Sequence, residues 1–451
     1  MQSASGASSD TIVAIATAPG RGAIGVVRLS GPAVRPIAMA VVGDLPRPRH
    51  AALCVARNSA AETLDEGIAL FFPAPHSYTG EDVLEFQGHG GPVVLQSVLA
   101  AFVDAGARLA EPGEFTRRAF LEGKIDLAQA EAVADLIDAA SREAARCALR
   151  SLSGEFSDEI RKLVQELVSL RALIEASLDF PEEEIDSIDR LKARDRLAGI
   201  HAGLQEVFAR SRQGSLLRAG VTAVIAGRPN VGKSSLLNRL TGDERAIVTP
   251  LPGTTRDTLR ETIQIEGIPF TIVDTAGLRE SGDEIEALGI ERTWRELART
   301  DVVIAVFDAR AGIGAEDRAI LDRLPADARR INVFNKIDLV QGAGRGSRGE
   351  AGGDVRVSAM TGAGLDDLRG ALLEAAGWQS AGETPYLARE RHLSALAEAQ
   401  ARVQAAVSQT EHWEFVAEEL RLAQASLSRI TGEFSADDLL GEIFTRFCIG
   451  K

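Results

Sequence analysis

Residues 227–234 carry the residue types and spacing of a phosphate-binding loop. They read Gly-Arg-Pro-Asn-Val-Gly-Lys-Ser, so that a lysine and a serine directly follow the second glycine. In loops of this kind the backbone N–H groups surround phosphate oxygens, the lysine reaches the terminal phosphates and the serine hydroxyl binds Mg²⁺. The pattern therefore predicts a nucleotide site, with Lys233 on the phosphates and Ser234 on the metal.

Two later segments predict which nucleotide binds. Asp274 follows an apolar run and opens the sequence Asp-Thr-Ala-Gly. A carboxylate at that place can hold Mg²⁺ through water, and the N–H of Gly277 can meet the γ-phosphate. Residues 335–338 read Asn-Lys-Ile-Asp after a second apolar run. Because the Asp338 carboxylate can accept two hydrogen bonds that guanine donates and adenine does not, the sequence predicts GTP.

These side chains need a strand and a helix to position them. Residues 221–226 are apolar and predict a buried strand before the loop, while 235–240 predict the first turns of a helix whose N-terminus faces the phosphates. A further segment, Ser-Ala-Met at 358–360, is placed to add backbone contacts to the base. In this order the motifs from about 221 to 377 resemble the GTP-binding domains of the translation-factor and Ras-like type.

Composition and charge exclude several classes of function. The chain has 451 residues, of which 45% are apolar and only 5% aromatic, and this length is enough for about three domains. A formal net charge of −15 disfavours a protein that coats nucleic acid non-specifically. The three cysteines are odd in number and far apart, which favours a reducing compartment over a disulfide framework. With a polar start and no long apolar run, we expect a cytoplasmic protein without a membrane partner.

The first part of the chain is predicted to be an α+β domain. Two strand-like runs, 11–17 and 23–29, flank a Pro-Gly-Arg-Gly turn at 19–22. A further strand is predicted at 83–86 and should end before the glycine-rich sequence 88–92.

Beyond Ile125 the apolar residues change to helical spacing. The stripes that predict amphipathic helices are Leu163, Leu167, Leu170 and Ile174; Leu197, Ile200, Leu204 and Val207; Val416, Leu420, Ala423, Leu427 and Ile430; and Leu439, Leu440, Ile443, Phe444 and Phe447. These stripes lie on both sides of the nucleotide-binding segment. One all-α domain, split in sequence, is therefore expected to contain that segment as an insertion.

Two positions indicate how GTP would be hydrolysed. Leu278 stands where Ras-like proteins carry a water-orienting glutamine, and it can neither accept a proton nor donate a hydrogen bond. The acidic candidates for this work on the same segment are Glu280, Asp283, Glu284 and Glu286. Asn230 is the residue found in GTPases that bind K⁺ beside the phosphates, where the cation can supply the charge of an arginine finger. Thr255, in the loop between the helix that follows the phosphate loop and the next strand, can bind Mg²⁺ as a switch threonine.

Longer motifs run from one end of the chain to the other. They are Asp-Thr-Ile-Val-Ala at 10–14, Pro-Gly-Arg-Gly at 19–22, Tyr-Thr-Gly-Glu-Asp-Val-Leu-Glu at 78–85, Gly-His-Gly-Gly at 88–91, Glu-Pro-Gly-Glu-Phe-Thr at 111–116, Arg-Ala-Phe-Leu at 118–121, Lys-Ile-Asp-Leu at 124–127, Gly-Thr-Thr-Arg-Asp at 253–257 and Cys-Ile-Gly-Lys at 448–451. With them the whole chain resembles the tRNA modification GTPase family MnmE, also called TrmE. These motifs are far more specific than a phosphate loop alone.

The resemblance implies a multidomain fold of α+β and α/β type and a reaction. Residues 1–121 would form an α+β domain that binds tetrahydrofolate and dimerises, 122–217 and 379–451 the two parts of the discontinuous all-α domain, and 218–378 the inserted Ras-like P-loop G domain. The homodimer would join an FAD-dependent partner, MnmG (GidA), in a heterotetramer. With K⁺-dependent GTP hydrolysis, this complex would add an aminomethyl or carboxymethylaminomethyl group to carbon five of the wobble uridine of certain tRNAs. A 5-formyl- or methylene-tetrahydrofolate would donate the one-carbon unit.

The resemblance also assigns residues to sites. K⁺ would be held by the Asn230 side chain and the backbones of Thr249, Leu251 and Thr254, and Mg²⁺ by Ser234 and Thr255. Glu286 would be the catalytic residue that orients the water, and Arg28, Glu85, Lys124 and Lys451 would contact the folate. The implied GTP contacts are Asn230, Val231, Gly232, Lys233, Ser234, Ser235, Thr249, Pro250, Leu251, Pro252, Gly253, Thr254, Thr255, Asp274, Thr275, Ala276, Gly277, Asn335, Lys336, Asp338, Ser358, Ala359 and Met360. Cys448 has the family's position, but both a catalytic thiol and a packing residue remain open there.

Two other functions fit the nucleotide motifs. A ribosome-assembly GTPase would switch an RNA-binding surface without taking part in chemistry, but such proteins carry basic RNA-binding modules, and the sequence shows none. A nucleotide-gated scaffold would use its N-terminal domain only to dimerise. Folate binding would distinguish the enzyme from the scaffold.

Overall fold

A computed structural model of the chain describes most of its residues and divides them into two compact units. The described residues are 10–179, 187–243, 260–274, 300–322, 328–340, 354–379, 385–409, 411–433, 443–444, 447–448 and 450. The first unit lies within 1–134 and 428–451, and the second lies within 135–427. Among the described residues, each unit contains a sheet of six strands.

The first unit has the predicted α+β architecture. Its strands are β1 (Ile12–Ile15), β2 (Ile24–Ser30), β3 (Ala52–Arg57), β4 (Thr63–Phe72), β5 (Val83–His89) and β6 (Arg108–Leu109), in the spatial order β3-β4-β5-β2-β1-β6. Neighbours are antiparallel except β1 and β6. The helices are α1 (Val34–Val42), α2 (Pro92–Asp104), α3 (Glu114–Leu121) and most of α4 (Leu127–Ile137). Phe71, Phe86 and Phe102 are buried in the core that α1 and α2 share with the sheet.

Strand β5 is longer than the sequence predicts. It continues through Gly88 to His89, where the glycine-rich sequence predicts a break. Glycine is needed there because a Cβ on Gly88 would overlap a carboxylate oxygen of the buried Asp65. The same carboxylate accepts a hydrogen bond from the backbone N–H of His89 at 2.8 Å and contacts its ring Nδ1 at 2.7 Å. Asp65 thus fixes the end of the strand.

The last apolar stripe of the sequence contributes to the core of the first unit. Ile443, Phe444 and Phe447 are buried in a cluster with Leu127 and Ala130. Leu439 and Leu440 of the same stripe lie outside the described residues.

The second unit combines an all-α part with an α/β part. Its helices are α5 (Arg142–Leu152), α6 (Glu155–Asp179), α7 (Ser187–Ala219), α8 (Lys233–Asp243), α9 (Ala315–Leu321), α10 (Leu365–Ala376), α11 (Glu390–Ser408) and most of α12 (Trp413–Thr431). The predicted stripes of α6, α7 and α12 are buried, as their spacing requires. Helices from the two sides of the insertion meet, since Arg171 of α6 donates to the Gln424 amide oxygen of α12 at 2.9 Å. The discontinuous all-α domain is therefore confirmed.

The inserted α/β part is built on the second sheet. Its strands are β7 (Val221–Ala226), β8 (Arg260–Ile265), β9 (Ile268–Asp274), β10 (Val302–Asp308), β11 (Arg329–Asn335) and β12 (Asp354–Arg356), in the order β12-β11-β10-β7-β9-β8. All neighbours are parallel except β8 and β9. Every residue of β10 is buried, as expected for a parallel strand covered on both faces. Ligands of such sheets bind beyond the carboxyl ends of the strands.

Gly214, in the second half of α7, is expected to tolerate no side chain. A Cβ there would overlap the carbonyl oxygen of Tyr386, a backbone atom that cannot rotate away. We expect Gly214→Ala to lower the free energy of unfolding by about 3 kcal/mol, the cost of forcing extra atoms into a packed core.

The control for Gly214→Ala is Gly199→Ala in the same helix. Nothing lies within 4 Å of a Cβ at Gly199, so the higher helix propensity of alanine should raise the stability by about 0.5–1 kcal/mol. Urea unfolding measures both variants, and equal midpoints would contradict the contact between α7 and Tyr386.

Candidate active site

The phosphate loop lies between a buried strand and the first turn of a helix, as the sequence predicts. β7 ends at Ala226 and α8 begins at Lys233, so the positive end of the α8 dipole faces the loop. Gly227 lies against the carbonyl oxygen of Val306 on β10, where any side chain would overlap that oxygen. The first glycine of the motif is therefore needed for the loop to approach β10.

Lys233 is held on the loop by the loop's own backbone. The residue is only 8% exposed, and its ammonium donates to the carbonyl oxygens of Gly227 at 2.8 Å and Arg228 at 3.0 Å. Asn230, Ser234 and Ser235 are exposed beside it. A buried cation next to exposed hydroxyl and amide groups suits a phosphate with its metal.

Arg228 anchors the outer edge of the phosphate loop to helix α9. Its Nε donates to the carboxylate of Asp317 at 2.9 Å, and the Asp317 side chain is completely buried. The other carboxylate oxygen accepts the N–H of Gly314 at 2.9 Å. Because a buried carboxylate needs its partners, this pair should hold the loop firmly. Asp317 is not part of any motif that the sequence indicates.

The predicted guanine-recognition residues come together at the end of β11. Asn335 donates from its side-chain amide to the carbonyl of Val231 at 2.9 Å and accepts the N–H of Ala359 at 3.0 Å. The Ser358 hydroxyl donates to Asp338 at 2.6 Å, which fixes one carboxylate oxygen. Asp338 itself is exposed and can offer its remaining acceptor sites to a base. The structure thus brings Ser358 to the Asp338 carboxylate and Ala359 to the Asn335 side chain.

Lys336 connects the base-recognition residues with the phosphate loop. Its ammonium donates to the carbonyl of Asn230 at 2.6 Å and to the carboxylate of Asp308 at 3.0 Å. Both Asn230 and Lys336 have left-handed backbones, with φ of 64° and 68°, a conformation in which asparagine is commoner than most side chains.

Several predicted site residues lie outside the described part of the chain. Asp274 ends β9, beside Ile225 of β7, as the sequence predicts. The predicted GTP, K⁺, Mg²⁺, catalytic and folate residues outside the described part are Thr249, Pro250, Leu251, Pro252, Gly253, Thr254, Thr255, Thr275, Ala276, Gly277, Glu286 and Lys451. Leu278 and its acidic neighbours also lie there, so their roles stay predictions.

Two of the predicted folate residues pair with each other on the sheet of the first unit. Arg28 and Glu85 lie opposite each other on β2 and β5, and the guanidinium donates to the carboxylate at 2.9 Å. The rings of Tyr78 and Phe115 each lie 5.7 Å from that guanidinium, and burial raises the pKa of Tyr78. Lys124 donates to the carbonyl of Pro75 at 2.9 Å. The half-buried carboxylate of Glu85, paired with a guanidinium that lies near two aromatic rings, can accept hydrogen bonds from the amide and amine edge of a pterin.

The described part of the metal site fits its predicted cations. K⁺ and Mg²⁺ take oxygen ligands, and the Asn230 amide and Ser234 hydroxyl are exposed oxygen donors that can serve as such ligands. In the described ranges no group of three or more His, Cys, Asp or Glu residues is placed to hold a metal ion. Cys54, Cys147 and Cys448 are free thiols.

Comparisons with known proteins decide the family. A model for the MnmE helical domain matches residues 127–448, and one for the GTP-binding protein TrmE N-terminus matches residues 11–124. The chain is 59% identical to the tRNA modification GTPase MnmE of Thiobacillus denitrificans and 58% identical to that of Aromatoleum aromaticum, over 98% of each chain. It belongs to the MnmE family.

Membership in the MnmE family makes the chain a GTP hydrolase of tRNA modification, as its motifs predict. Among solved structures, Era of Aquifex aeolicus bound to GDP and AlF₄⁻ aligns with 41% of this chain and 66% of its own, at 27% identity. Its TM-score of 0.27 is too low to bear on the MnmE fold. Within the described ranges no helix is both long and apolar enough to cross a bilayer.

Proposed function

We propose that the chain is a K⁺-dependent GTPase that modifies the wobble uridine of certain tRNAs. With the FAD-dependent partner MnmG it would add an aminomethyl or carboxymethylaminomethyl group to carbon five, using a tetrahydrofolate one-carbon unit. The observation that carries the K⁺ part is Asn230, which is exposed and left-handed in the phosphate loop beside Lys233 and Ser234.

The phosphate loop can contribute to hydrolysis in three ways. Lys233 neutralises charge on the terminal phosphates, and Ser234 offers its hydroxyl to Mg²⁺. Asn230 offers its amide oxygen beside the phosphates. A K⁺ ion held there would supply positive charge next to the developing negative charge of the transition state. Because Leu278 cannot orient water, that work falls to Glu286 in this proposal.

GTP turnover should rise about 10²-fold when K⁺ replaces Na⁺ at constant ionic strength. One well-placed charge or donor at a developing anion is worth about this much in rate, and Na⁺, the smaller cation, would fit a K⁺ site poorly. The measurement is steady-state phosphate release in matched KCl and NaCl. Equal rates in the two salts would rule out the K⁺ mechanism.

Glu286→Ala tests, in the same phosphate-release assay, whether Glu286 orients the attacking water. Hydrolysis should be lost while GTP binding persists, since the side chain acts on water and not on the nucleotide. The control Glu284→Ala removes a neighbouring carboxylate and should keep the K⁺ response. If Glu286→Ala turned over GTP normally, another residue would have to orient the water.

The folate part of the proposal rests on the paired Arg28 and Glu85. A carboxylate fixed on one side by a guanidinium can accept hydrogen bonds from a pterin on the other. We expect Glu85→Gln to weaken 5-formyl-tetrahydrofolate binding by about tenfold to 10²-fold, the worth of hydrogen bonds to a charged group. Deletion of Lys451 should also weaken it. Calorimetry measures both, with Glu66→Gln on the exposed face of β4 as the charge-matched control.

Unchanged affinity in Glu85→Gln would remove Glu85 from the folate site. Failure of the wild type to bind folate would favour the scaffold, in which the N-terminal domain only dimerises. The domain boundaries at 121, 217 and 378, the homodimer, the heterotetramer with MnmG and the cytoplasmic location remain part of this proposal.

A further inference from the structure

Asp308, the last residue of β10, pairs with two basic side chains at the edge of the predicted nucleotide site. It is only 8% exposed. Arg310 donates from Nε at 2.9 Å and from Nη2 at 2.6 Å, and Lys336 donates at 3.0 Å. The hydrogen bonds from Arg310, and then the one from Lys336, hold the pKa of Asp308 well below its usual range. Asp308 is therefore a carboxylate at neutral pH.

The ammonium of Lys336 donates hydrogen bonds to two acceptors on different segments. One is the Asp308 carboxylate on β10, and the other is the backbone carbonyl of Asn230 at 2.6 Å. The three residues thus join the end of a core strand, the base-recognition segment and the phosphate loop in one chain of charge-assisted hydrogen bonds. Such bonds are roughly twice as strong as those between neutral groups.

The contact on Asn230 constrains its backbone. Asn230 is exposed and has a left-handed φ of 64°, a conformation that costs free energy for residues other than glycine unless the surroundings fix it. A donor fixed on the Asn230 carbonyl holds that peptide plane in place. The direction of the plane in turn sets the direction in which the Asn230 side chain leaves the loop.

We propose that Asp308 is a positioning residue that holds Lys336 on the Asn230 carbonyl and thereby keeps the phosphate loop in the conformation that presents Asn230 to K⁺. The part that concerns K⁺ rests on the proposed function, whereas the tie between Lys336 and the loop does not. Without the Asp308 carboxylate, Lys336 would no longer be fixed by an ion pair, and its hydrogen bond would no longer hold the Asn230 backbone in place. Guanine nucleotide binding and K⁺ binding should then weaken together.

Asp308→Asn tests this because it keeps the shape of the side chain and removes its charge. Two quantities are measured: GDP affinity by calorimetry in Na⁺ without K⁺, and the K⁺ concentration that gives half-maximal GTP turnover. We expect GDP to bind about tenfold more weakly and the half-maximal K⁺ concentration to rise about tenfold, the effect of one charge-assisted hydrogen bond. Asp366→Asn, whose carboxylate is 97% exposed on α10, makes the same charge change and should alter neither quantity.

A double-mutant cycle with Lys336→Ala shows whether Asp308 acts through Lys336. If it does, Asp308→Asn should add little to the effect of Lys336→Ala. Fully additive losses, or an Asp308→Asn variant that matches the wild type in both quantities, would overturn the proposal. If Asp308→Asn did not fold, Lys336→Ala alone should raise the half-maximal K⁺ concentration, and an unchanged value would refute the tie.

The two measurements, GDP affinity in Na⁺ and the half-maximal K⁺ concentration, distinguish failure of this inference from failure of the proposed function. A wild type that ignores K⁺ would refute the K⁺ part of the proposed function, while GDP affinity would still decide the role of Asp308. A wild type that responds to K⁺, with an unchanged response in Asp308→Asn, would refute the inference alone.

Discussion

Replacing Lys233 by alanine is expected both to weaken GTP binding and to slow GTP hydrolysis strongly. The buried ammonium is held by two loop carbonyls, at the place where the motif predicts the terminal phosphates. Its loss should weaken GTP binding by about 10²-fold, since each hydrogen bond to a charged group is worth a factor of about ten or more. Loss of the ammonium should also slow the chemical step by about 10²-fold, because the same charge stabilises the transition state. Nucleotide titration and single-turnover hydrolysis separate the two effects.

Lys162→Ala is the matched control for Lys233→Ala. Lys162 is an exposed lysine of α6, so its removal makes the same charge change away from the loop. It should keep both GTP affinity and rate. A Lys233→Ala variant that hydrolyses GTP at the wild-type rate would mean that the loop is not the phosphate site.

Asp338→Asn should change the base that the site accepts. Ser358 can still donate to the new side-chain oxygen, as it does to the carboxylate at 2.6 Å, so the asparagine amide would face the base. The N–H of the new side chain would then face the N–H of the exocyclic amine of guanine, so that two donors meet without an acceptor. GTP should therefore bind at least about 10²-fold more weakly. Xanthine carries a carbonyl at that position and keeps its N1–H, so xanthosine triphosphate should gain affinity.

Competition between GTP and xanthosine triphosphate measures this reversal. Asp366→Asn, on the exposed face of α10, is the control and should keep the preference for guanine. A variant that lost both nucleotides equally would indicate local unfolding, and one that kept GTP would remove Asp338 from base recognition.

The sequence predicts those parts of the site whose geometry is local. Gly227 to Ser234 define a loop because adjacent residues set its shape, and the apolar runs before and after it predict β7 and α8. The Asn-Lys-Ile-Asp motif likewise follows directly from the end of β11. For the same reason the helical stripes of α6, α7 and α12 could be identified from spacing alone.

What the sequence does not predict depends on contacts between distant segments. Asp317 is buried against Arg228 from 89 residues away, and Asp308 meets Lys336 only because β10 and β11 run in parallel register, with Asp308 opposite Asn335. β5 continues through Gly88 because Asp65 of β4 needs space there. Arg28 and Glu85 become partners through the register of β2 and β5. None of these pairings leaves a local pattern.

Nucleoside analysis of tRNA is the most direct test of whether this GTPase serves tRNA wobble modification. The tRNA would come from a strain that lacks this gene and from the same strain carrying either the wild-type gene or Lys233→Ala. We predict that aminomethyl-type uridines are absent without the gene, return with the wild type and do not return with Lys233→Ala. Unchanged amounts of these nucleosides in the strain that lacks the gene would contradict the account.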